Sequence, residues 1–195
     1  FSLDAAVCHI ERARSEQHAG RILLVGLSLG GYVAMAYARR FPEHVAGLAL
    51  AGCSVRFKGR MRFLTRLSAA TFALIGHGPF LAHLSRRQVA RVRAQYPAAL
   101  AEAQIEAGFS YANWGRALAQ MAGTDFDSML ATFPRPTLLL NGELDTYNRA
   151  AEAACAATMP GADFHVIQGA GHLCNLDAPA LFTGELRTFA SSLSW

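Results

Sequence analysis

The chain has 195 residues, a formal net charge of +4, and a composition that is 52% apolar and 16% charged. This size suits one domain with room for an insertion, and the composition is typical of a globular protein that buries roughly 70% of its unfolded surface. The sequence contains no convincing membrane span, internal repeat, low-complexity segment or nucleic-acid-binding motif, so we expect neither stable membrane insertion nor nucleic acid as a partner.

Short apolar runs alternate with helical patterns along the chain. In chain order, the predicted elements are a helix (3–18), a strand (Ile22–Val25), a helix (29–40), a strand (Val45–Ala51), a long insertion, a strand (Thr137–Leu140), a helix (148–158), a strand (Phe164–Ile167) and a helix (179–193). The strands are nearly continuous apolar runs, which is typical of strands buried on both faces of a parallel sheet. The sequence therefore predicts an α/β fold with a mostly parallel sheet and right-handed crossovers.

The insertion contains no clear strand and is too long to be a structureless loop in a compact domain. Its longest uncharged run, Leu67 to Leu84, is interrupted by Gly76-His77-Gly78-Pro79. This interruption predicts two buried helices joined by a turn rather than one membrane-spanning helix. The expected organisation is core at residues 1–53, a helical insertion at residues 54–133, and core again at residues 134–195.

Charge is distributed unevenly along the chain. Residues 56–93 contain nine basic and no acidic residues, which leaves nine basic against 14 acidic residues elsewhere. The simplest interpretation of this basic block is a solvated helix face, and the alternative is a surface that attracts anionic substrates or a membrane surface.

Four cysteines show neither CxxC spacing nor the spacing of a metal site. They are Cys8, Cys53, Cys155 and Cys174. We expect buried thiols in a reducing compartment. Together with the lack of a visible signal peptide, this favours a cytoplasmic protein.

The sequence GLSLGG at residues 26–31 places Ser28 between a predicted strand and a predicted helix. A GxSxG pattern in this context is typical of a nucleophilic serine on a strained turn, with Gly26 and Gly30 allowing neighbouring backbone to pass closely. Amide groups at the start of the helix point to the same place, and the N–H of Leu29 is the natural oxyanion donor. The alternative is a structural turn serine.

A nucleophilic serine needs a base, and the base needs an orienting group. The sequences NGELD and GAGH place Asp145 and His172 just beyond the last two predicted strands. Since the carboxyl ends of parallel strands meet at one edge of a sheet, we expect both side chains to lie at the edge that carries Ser28.

Together, GLSLGG, NGELD and GAGH, with the chain order serine, aspartate, histidine, resemble the α/β-hydrolase superfamily over nearly the whole chain. The resemblance implies that Ser28 is the nucleophile, His172 the general base and Asp145 the orienting acid. It also implies that the insertion is a helical cap and that no metal or organic cofactor takes part.

Four other polar residues lie close enough in sequence to compete for these roles. Glu143 is near Asp145, but the family pattern places the acid at the aspartate. Asp177 fits a helix N-cap before Ala178-Pro179. His165 lies within a strand as a core or edge histidine, and Cys174 has no glycine turn to present it.

Two features that members of this superfamily have are missing from the sequence. Family members have further strands before the nucleophile strand and a His-Gly loop that supplies a second oxyanion N–H, so we expect an N-terminally truncated hydrolase with an apolar edge at the first strand. We interpret GHGP at residues 76–79 as a turn within the cap.

The leading functional prediction is hydrolysis of a small carboxylic ester, thioester or lactone through an acyl-enzyme. The alternatives are hydrolysis of a carbon–carbon bond, perhydrolysis by the same residues, and a catalytically inactive fragment. Aromatic residues of the insertion suggest an apolar acyl or aromatic group in the substrate, although packing within the core of the cap is the simpler interpretation of them. They are Phe57, Phe63, Phe72, Phe80, Phe109, Tyr111 and Trp114.

Overall fold

A computed structural model describes residues 1–53, 59–75, 78–106 and 110–195 of the chain. Phe57, Phe109 and the first half of the GHGP turn lie outside these residues. The elements are α1 (Leu3–Glu16), β1 (Ile22–Leu27), α2 (Leu29–Arg40), a 3-10 turn (Pro42–His44), β2 (Val45–Ala51), α3 (Gly59–Ile75), α4 (Pro79–Gln95), α5 (Ala98–Glu106), α6 (Tyr111–Gly123), α7 (Phe126–Ala131), β3 (Thr137–Gly142), α8 (Thr146–Ala156), β4 (Ala162–Ile167), α9 (Cys174–Asp177) and α10 (Pro179–Ser192).

The four strands form one parallel sheet in the order β1-β2-β3-β4. Leu50 pairs with Gly26 on one side and with Leu139 on the other, and Leu139 pairs in turn with Phe164. Every residue of the two central strands is buried, because they have neighbours on both sides and helices on both faces. The predicted α/β fold with a parallel sheet is therefore confirmed.

Helix α10 covers one face of the sheet. Phe182, Phe189 and Leu193 pack in one apolar cluster with Leu138 and Leu140 of β3. Asn141, the next residue of β3, points to the opposite face, where its side chain contacts α8. Helices on both faces leave the carboxyl edge of the sheet as the place where loops after β1, β2, β3 and β4 meet.

The chain divides into two compact units. The larger contains residues 3–56 and 125–195, and the smaller contains residues 57–124 together with the first two residues. The predicted insertion, residues 54–133, includes α7, whereas α7 belongs to the larger unit.

The smaller unit is helical. Helix α3 packs against α6, and the rings of Phe72 and Tyr111 stack with centroids 5.6 Å apart. The expectation of two buried helices across Leu67 to Leu84 is wrong in one respect: α3 and α4 exist, but Leu67 and Leu74 are exposed. The lack of charge in this run predicts burial, but the exposed face of α3 is also apolar.

Among the described residues, no helix is both long and apolar enough to cross a membrane. Three of the four cysteines are buried as expected, whereas Cys8 lies exposed on α1. The burial prediction for the thiols is thus correct for Cys53, Cys155 and Cys174 only.

A polar cluster joins α1 to α2 and to the turn before β2. Glu11 accepts hydrogen bonds from Tyr37 Oη at 2.5 Å and from Arg14 at 2.7 Å, and His44 Nδ1 lies 3.2 Å from its Oε2. The hydrogen bonds from Arg14 and Tyr37 lower the pKa of Glu11 to about 2 from 4.5, although burial opposes the shift. The folded state therefore favours the ionised form of Glu11.

We expect Glu11→Gln to destabilise the chain at neutral pH and to matter less as the pH falls. Because the pKa of Glu11 is lower in the folded chain, its stabilisation is present above the unfolded value of 4.5 and is lost as the pH falls towards about 2. Urea unfolding of parent and variant across this range measures the difference in free energy. Glu16→Gln, at an exposed position of α1, is the control, and a Glu11→Gln difference independent of pH would contradict the prediction.

Candidate active site

Ser28 lies on a strained turn between β1 and α2. Its backbone has φ 52° and ψ −119°, a left-handed conformation that is costly for a residue with a side chain. Its amide donates to the carbonyl of Ala51 at 2.7 Å, so the turn is tied to the end of β2. The Ser28 hydroxyl does not cap α2, although Ser28 occupies the N-cap position. This geometry matches that expected for a presented serine and differs from that of a capping serine.

The glycines that make the turn possible are Gly26 and Gly31. A Cβ at Gly26 would lie 2.5 Å from the carbonyl oxygen of Gly30, and one at Gly31 would overlap the side chain of Cys53. The expectation that Gly30 serves the same purpose is wrong, since nothing lies within 4 Å of a Cβ built there. Helix α2 turns the face of Gly31, not that of Gly30, towards the end of β2.

Leu29 is the first residue of α2 and directly follows Ser28. The first amides of a helix have no acceptor within the helix, and they lie at the positive end of its dipole. The position of the Leu29 N–H is thus compatible with the predicted role of an oxyanion donor, which stays a prediction.

Asp145 and His172 are paired by a hydrogen bond. His172 Nδ1 lies 2.8 Å from Asp145 Oδ2, with the aspartate side chain 8% exposed and the histidine side chain 42% exposed. Asp145 follows β3 and caps the N-terminus of α8, while His172 lies on the loop after β4. A buried carboxylate on Nδ1 fixes the tautomer of the ring and leaves Nε2 to act as a base.

Asn148 completes this pair. Its Nδ2 donates to Asp145 Oδ2 at 2.8 Å and lies 3.4 Å from His172 Nδ1. Burial raises the pKa of Asp145, but the hydrogen bonds from Asn148 and His172 outweigh it and keep the pKa below its ordinary value. Asp145 is therefore held as a carboxylate facing the imidazole.

The end of β2 brings the two halves of the site to one place. Ala51 accepts the hydrogen bond from Ser28, and the next residue, Gly52, lies against the imidazole of His172. A Cβ at Gly52, which has φ 59°, would lie 2.9 Å from His172 Cε1 and 3.5 Å from Asp145 Oδ2. Two adjacent residues thus contact the serine turn and the histidine.

A buried carboxylate stabilises the backbone that follows β2. Glu152 of α8 is fully buried, accepts from the backbone N–H of Cys53 at 2.9 Å, and also accepts from Asn141 Nδ2. Burial, together with the charge of Glu152, raises the pKa of the Cys53 thiol well above its ordinary value. Cys53 is therefore a buried packing residue whose thiol is held in its protonated, unreactive form.

The loop that carries His172 is held by two carboxylates. Gly169 N–H donates to Glu143 Oε2 at 2.9 Å, and Gly171 N–H donates to Asp177 Oδ2 at 2.8 Å. The prediction that Asp177 caps α10 is wrong, because the N-cap residue is Ala178 and Asp177 turns back to the loop. Glu143 and Asp177, the two other carboxylates considered for the role of Asp145, thus bind backbone amides of the loop that carries His172.

The two remaining competitors are accounted for by their surroundings. His165 is exposed on the edge strand β4, where its Nδ1 lies 2.6 Å from Glu185 Oε2. Cys174 is buried, and burial raises the pKa of its thiol to about 11. His165 is thus paired with Glu185 on the edge strand, and burial keeps the Cys174 thiol protonated.

Three residues of the site were missed by the sequence analysis: Gly52, Asn148 and Glu152. Gly52 follows an apolar strand as Gly26 does, so its position after β2 could have indicated close approach. Asn148 and Glu152 lie one and two helical turns after Asp145, which places them on the same side of α8, but nothing in their spacing distinguishes them from surface residues.

Comparison with known proteins supports the fold and the family. A profile described as the alpha/beta hydrolase family matches residues 1–185, and 512 solved chains resemble the structure. A comparison with curated protein sequences finds no match.

Three of these structures illustrate the similarity. A thermophilic esterase from Thermogutta terrifontis, with malate bound, has a TM-score of 0.76 and 26% identity, covering 98% of this chain and 72% of its own. A hydrolase from Pseudomonas aeruginosa PA01 has a TM-score of 0.74 and 24% identity, covering 98% and 73%. A mutant of the meta-cleavage product hydrolase CumD has a TM-score of 0.68 and 22% identity, covering 98% and 72%.

The four-stranded parallel sheet, the strained serine turn and a family match over 185 of the 195 residues agree with one another. The chain belongs to the alpha/beta hydrolase family.

Proposed function

We propose that the chain is a serine hydrolase that cleaves small esters of apolar acids or alcohols. Ser28 is the nucleophile, His172 the general base and Asp145 the group that orients the histidine. Hydrolase activity in general follows from the family, and the proposal adds the nucleophile, the mechanism and the substrate class.

The observation that carries the proposal is the contact of both halves of the site with two adjacent residues at the end of β2, its last residue and the one that follows it. Ser28 is hydrogen-bonded to Ala51, and the imidazole that is paired with Asp145 lies on Gly52. A strained serine, a histidine and a buried carboxylate at one sheet edge are the groups that acyl transfer requires.

In the proposed reaction, Ser28 Oγ attacks the ester carbonyl while His172 Nε2 takes its proton. The N–H of Leu29 donates to the oxyanion of the tetrahedral intermediate. The intermediate collapses as His172 returns the proton to the leaving alcohol, which produces an acyl-serine. Water then attacks the acyl group by the same route and releases the acid. Asp145 stays ionised and stabilises the imidazolium that forms in each half.

Asn148 acts as a positioning residue in this scheme. It donates to the same carboxylate oxygen that accepts from His172, so it fixes the direction from which Asp145 meets the ring. Asn148 is itself buried, which leaves it little freedom to move.

Two features support an ester with an apolar group. The esterase from Thermogutta terrifontis is 26% identical to the chain over almost its whole length. Leu144 and Tyr147, on either side of Asp145, are each 66% exposed and offer apolar surface beside the site. An acyl chain or aromatic ring lying there would shield the ester from water.

We expect a fluorophosphonate probe to form one adduct with the parent chain, at Ser28. Ser28→Ala should remove the adduct, and His172→Ala should slow its formation roughly a thousandfold, since the base is lost. Intact-mass spectrometry and peptide mapping measure both effects. Ser15→Ala and His165→Ala are matched controls that should label normally. An adduct that survives Ser28→Ala, or none on the folded parent chain, would contradict the proposal.

We expect Asn148→Leu, which keeps the number and branching of the side-chain heavy atoms, to lower kcat for p-nitrophenyl esters roughly tenfold with little change in KM. The hydrogen bond from Asn148 lowers the pKa of Asp145, so removing it raises that pKa. As the pH falls, the variant should therefore lose activity at a higher pH than the parent does. The pH dependence of kcat is the measurement. A purely structural role would lower stability and leave this profile unmoved, and the exposed Asn113→Leu is the control.

We expect Gly52→Ala to lower activity roughly a hundredfold, because the added methyl group displaces the imidazole of His172. Gly161→Ala is a matched control, since Gly161 also has positive φ but a Cβ there meets nothing within 4 Å. Both variants should lose about 1 kcal/mol of stability from backbone strain. Equal activity of the two variants in an ester assay would rule out the proposed contact.

A further inference from the structure

The outer face of α3 carries large apolar side chains. Phe63 is 67% exposed, Leu67 is 55% exposed and Leu74 is 86% exposed. On the opposite side of the helix, Ala69 is buried and Phe72 stacks on Tyr111 of α6. Helix α3 is therefore apolar on the face that packs and apolar again on the face that meets solvent.

The three side chains form a line. At 3.6 residues per turn, Phe63, Leu67 and Leu74 fall within about 40° of one another around the helix axis, and the line is about 16 Å long. Single exposed apolar residues are common on protein surfaces, but an aligned set on one helix face indicates an interaction surface.

Arginines border this line. Arg60 and Arg66 fall on opposite sides of it around the helix, and both are exposed, as is Arg62. No aspartate or glutamate occurs between Glu43 and Glu102, so no acidic neighbour in this part of the sequence offsets their charge. The outer face of α3 thus combines large exposed apolar side chains with exposed arginines along its borders.

We infer that the outer face of α3 docks on an anionic lipid bilayer, with Phe63, Leu67 and Leu74 among the acyl chains and the arginines at the lipid phosphates. A helix with large apolar side chains on one face and basic residues along its borders lies in the plane of a membrane interface. It lies on the bilayer and does not span it.

Charge favours a bilayer over a second copy of the chain as the occupant. A symmetric contact between two α3 faces would bring Arg60, Arg62 and Arg66 of one copy against the same arginines of the other. An anionic bilayer supplies both an apolar layer for the line and negative charge for its borders. A free phosphate compound would satisfy the arginines alone.

Co-sedimentation with vesicles tests the inference separately from catalysis when the Ser28→Ala chain serves as the parent for every further substitution. We expect binding to vesicles of phosphatidylcholine and phosphatidylserine, at least tenfold weaker binding to phosphatidylcholine alone, and weakening with added salt. Replacing Phe63, Leu67 and Leu74 by serine should reduce binding to the anionic vesicles at least tenfold. Arg60→Gln combined with Arg66→Gln should reduce it while keeping all three apolar side chains.

Leu181→Ser is the matched control, since Leu181 is an exposed leucine on α10 of the larger unit, and it should bind as the parent does. Circular dichroism shows that each variant is folded, and the arginine pair provides a test if the serine variant is not. Failure of the folded parent to bind anionic vesicles overturns the inference, as does unchanged binding of the arginine pair. Self-association of the parent in sedimentation velocity that the apolar substitutions abolish would identify a second copy as the occupant, and would also overturn it.

Discussion

Close backbone approach at the carboxyl edge of the sheet is the constraint on which the candidate site depends. Gly26 lies against the start of α2, Gly52 lies against the imidazole of His172, and Gly142 lies against the backbone of Ala170 and Gly171. Gly26 is the last residue but one of β1, Gly52 directly follows β2, and Gly142 is the last residue of β3. A methyl group on any of them would overlap the atoms packed against it. The loops can therefore converge on one small volume because three consecutive strand ends carry no side chain.

Polar side chains stabilise the loops that the glycines allow to converge. Asn148 and Asp145 hold the imidazole, Glu143 and Asp177 hold the loop that carries it, and Glu152 holds the turn after β2. Asn148 and Glu152 are buried, and hydrogen bonds in such a region of low dielectric are stronger than in water. These contacts support a proposed site whose groups are held in place before a substrate binds. The smaller, helical unit has a separate feature, the basic and apolar outer face of α3.

The family resemblance and the strand pattern predicted the fold well. All four strands were placed, with β1 and β3 two residues longer than expected and β4 two residues longer at its start, because buried apolar runs of parallel strands stand out in sequence. The pairing of Asp145 with His172 was anticipated from the convergence of strand ends. The roles of Gly30 and Asp177 were not, since each depends on which way a helix or loop turns after the strand.

The sequence by itself determined the order of the elements and the chemistry available at the sheet edge, because strand burial and turn residues are local properties. Only the tertiary structure decided which glycine contacts which backbone, that Asn148 and Glu152 support the site, and that α3 presents large apolar side chains to solvent. Those features depend on contacts between residues far apart in the chain, such as Cys53 with Glu152, and on which side of a helix finds a partner. Local sequence patterns do not encode that choice, because a helix with apolar residues on two faces can pack through either face, and the neighbouring elements decide which one is buried.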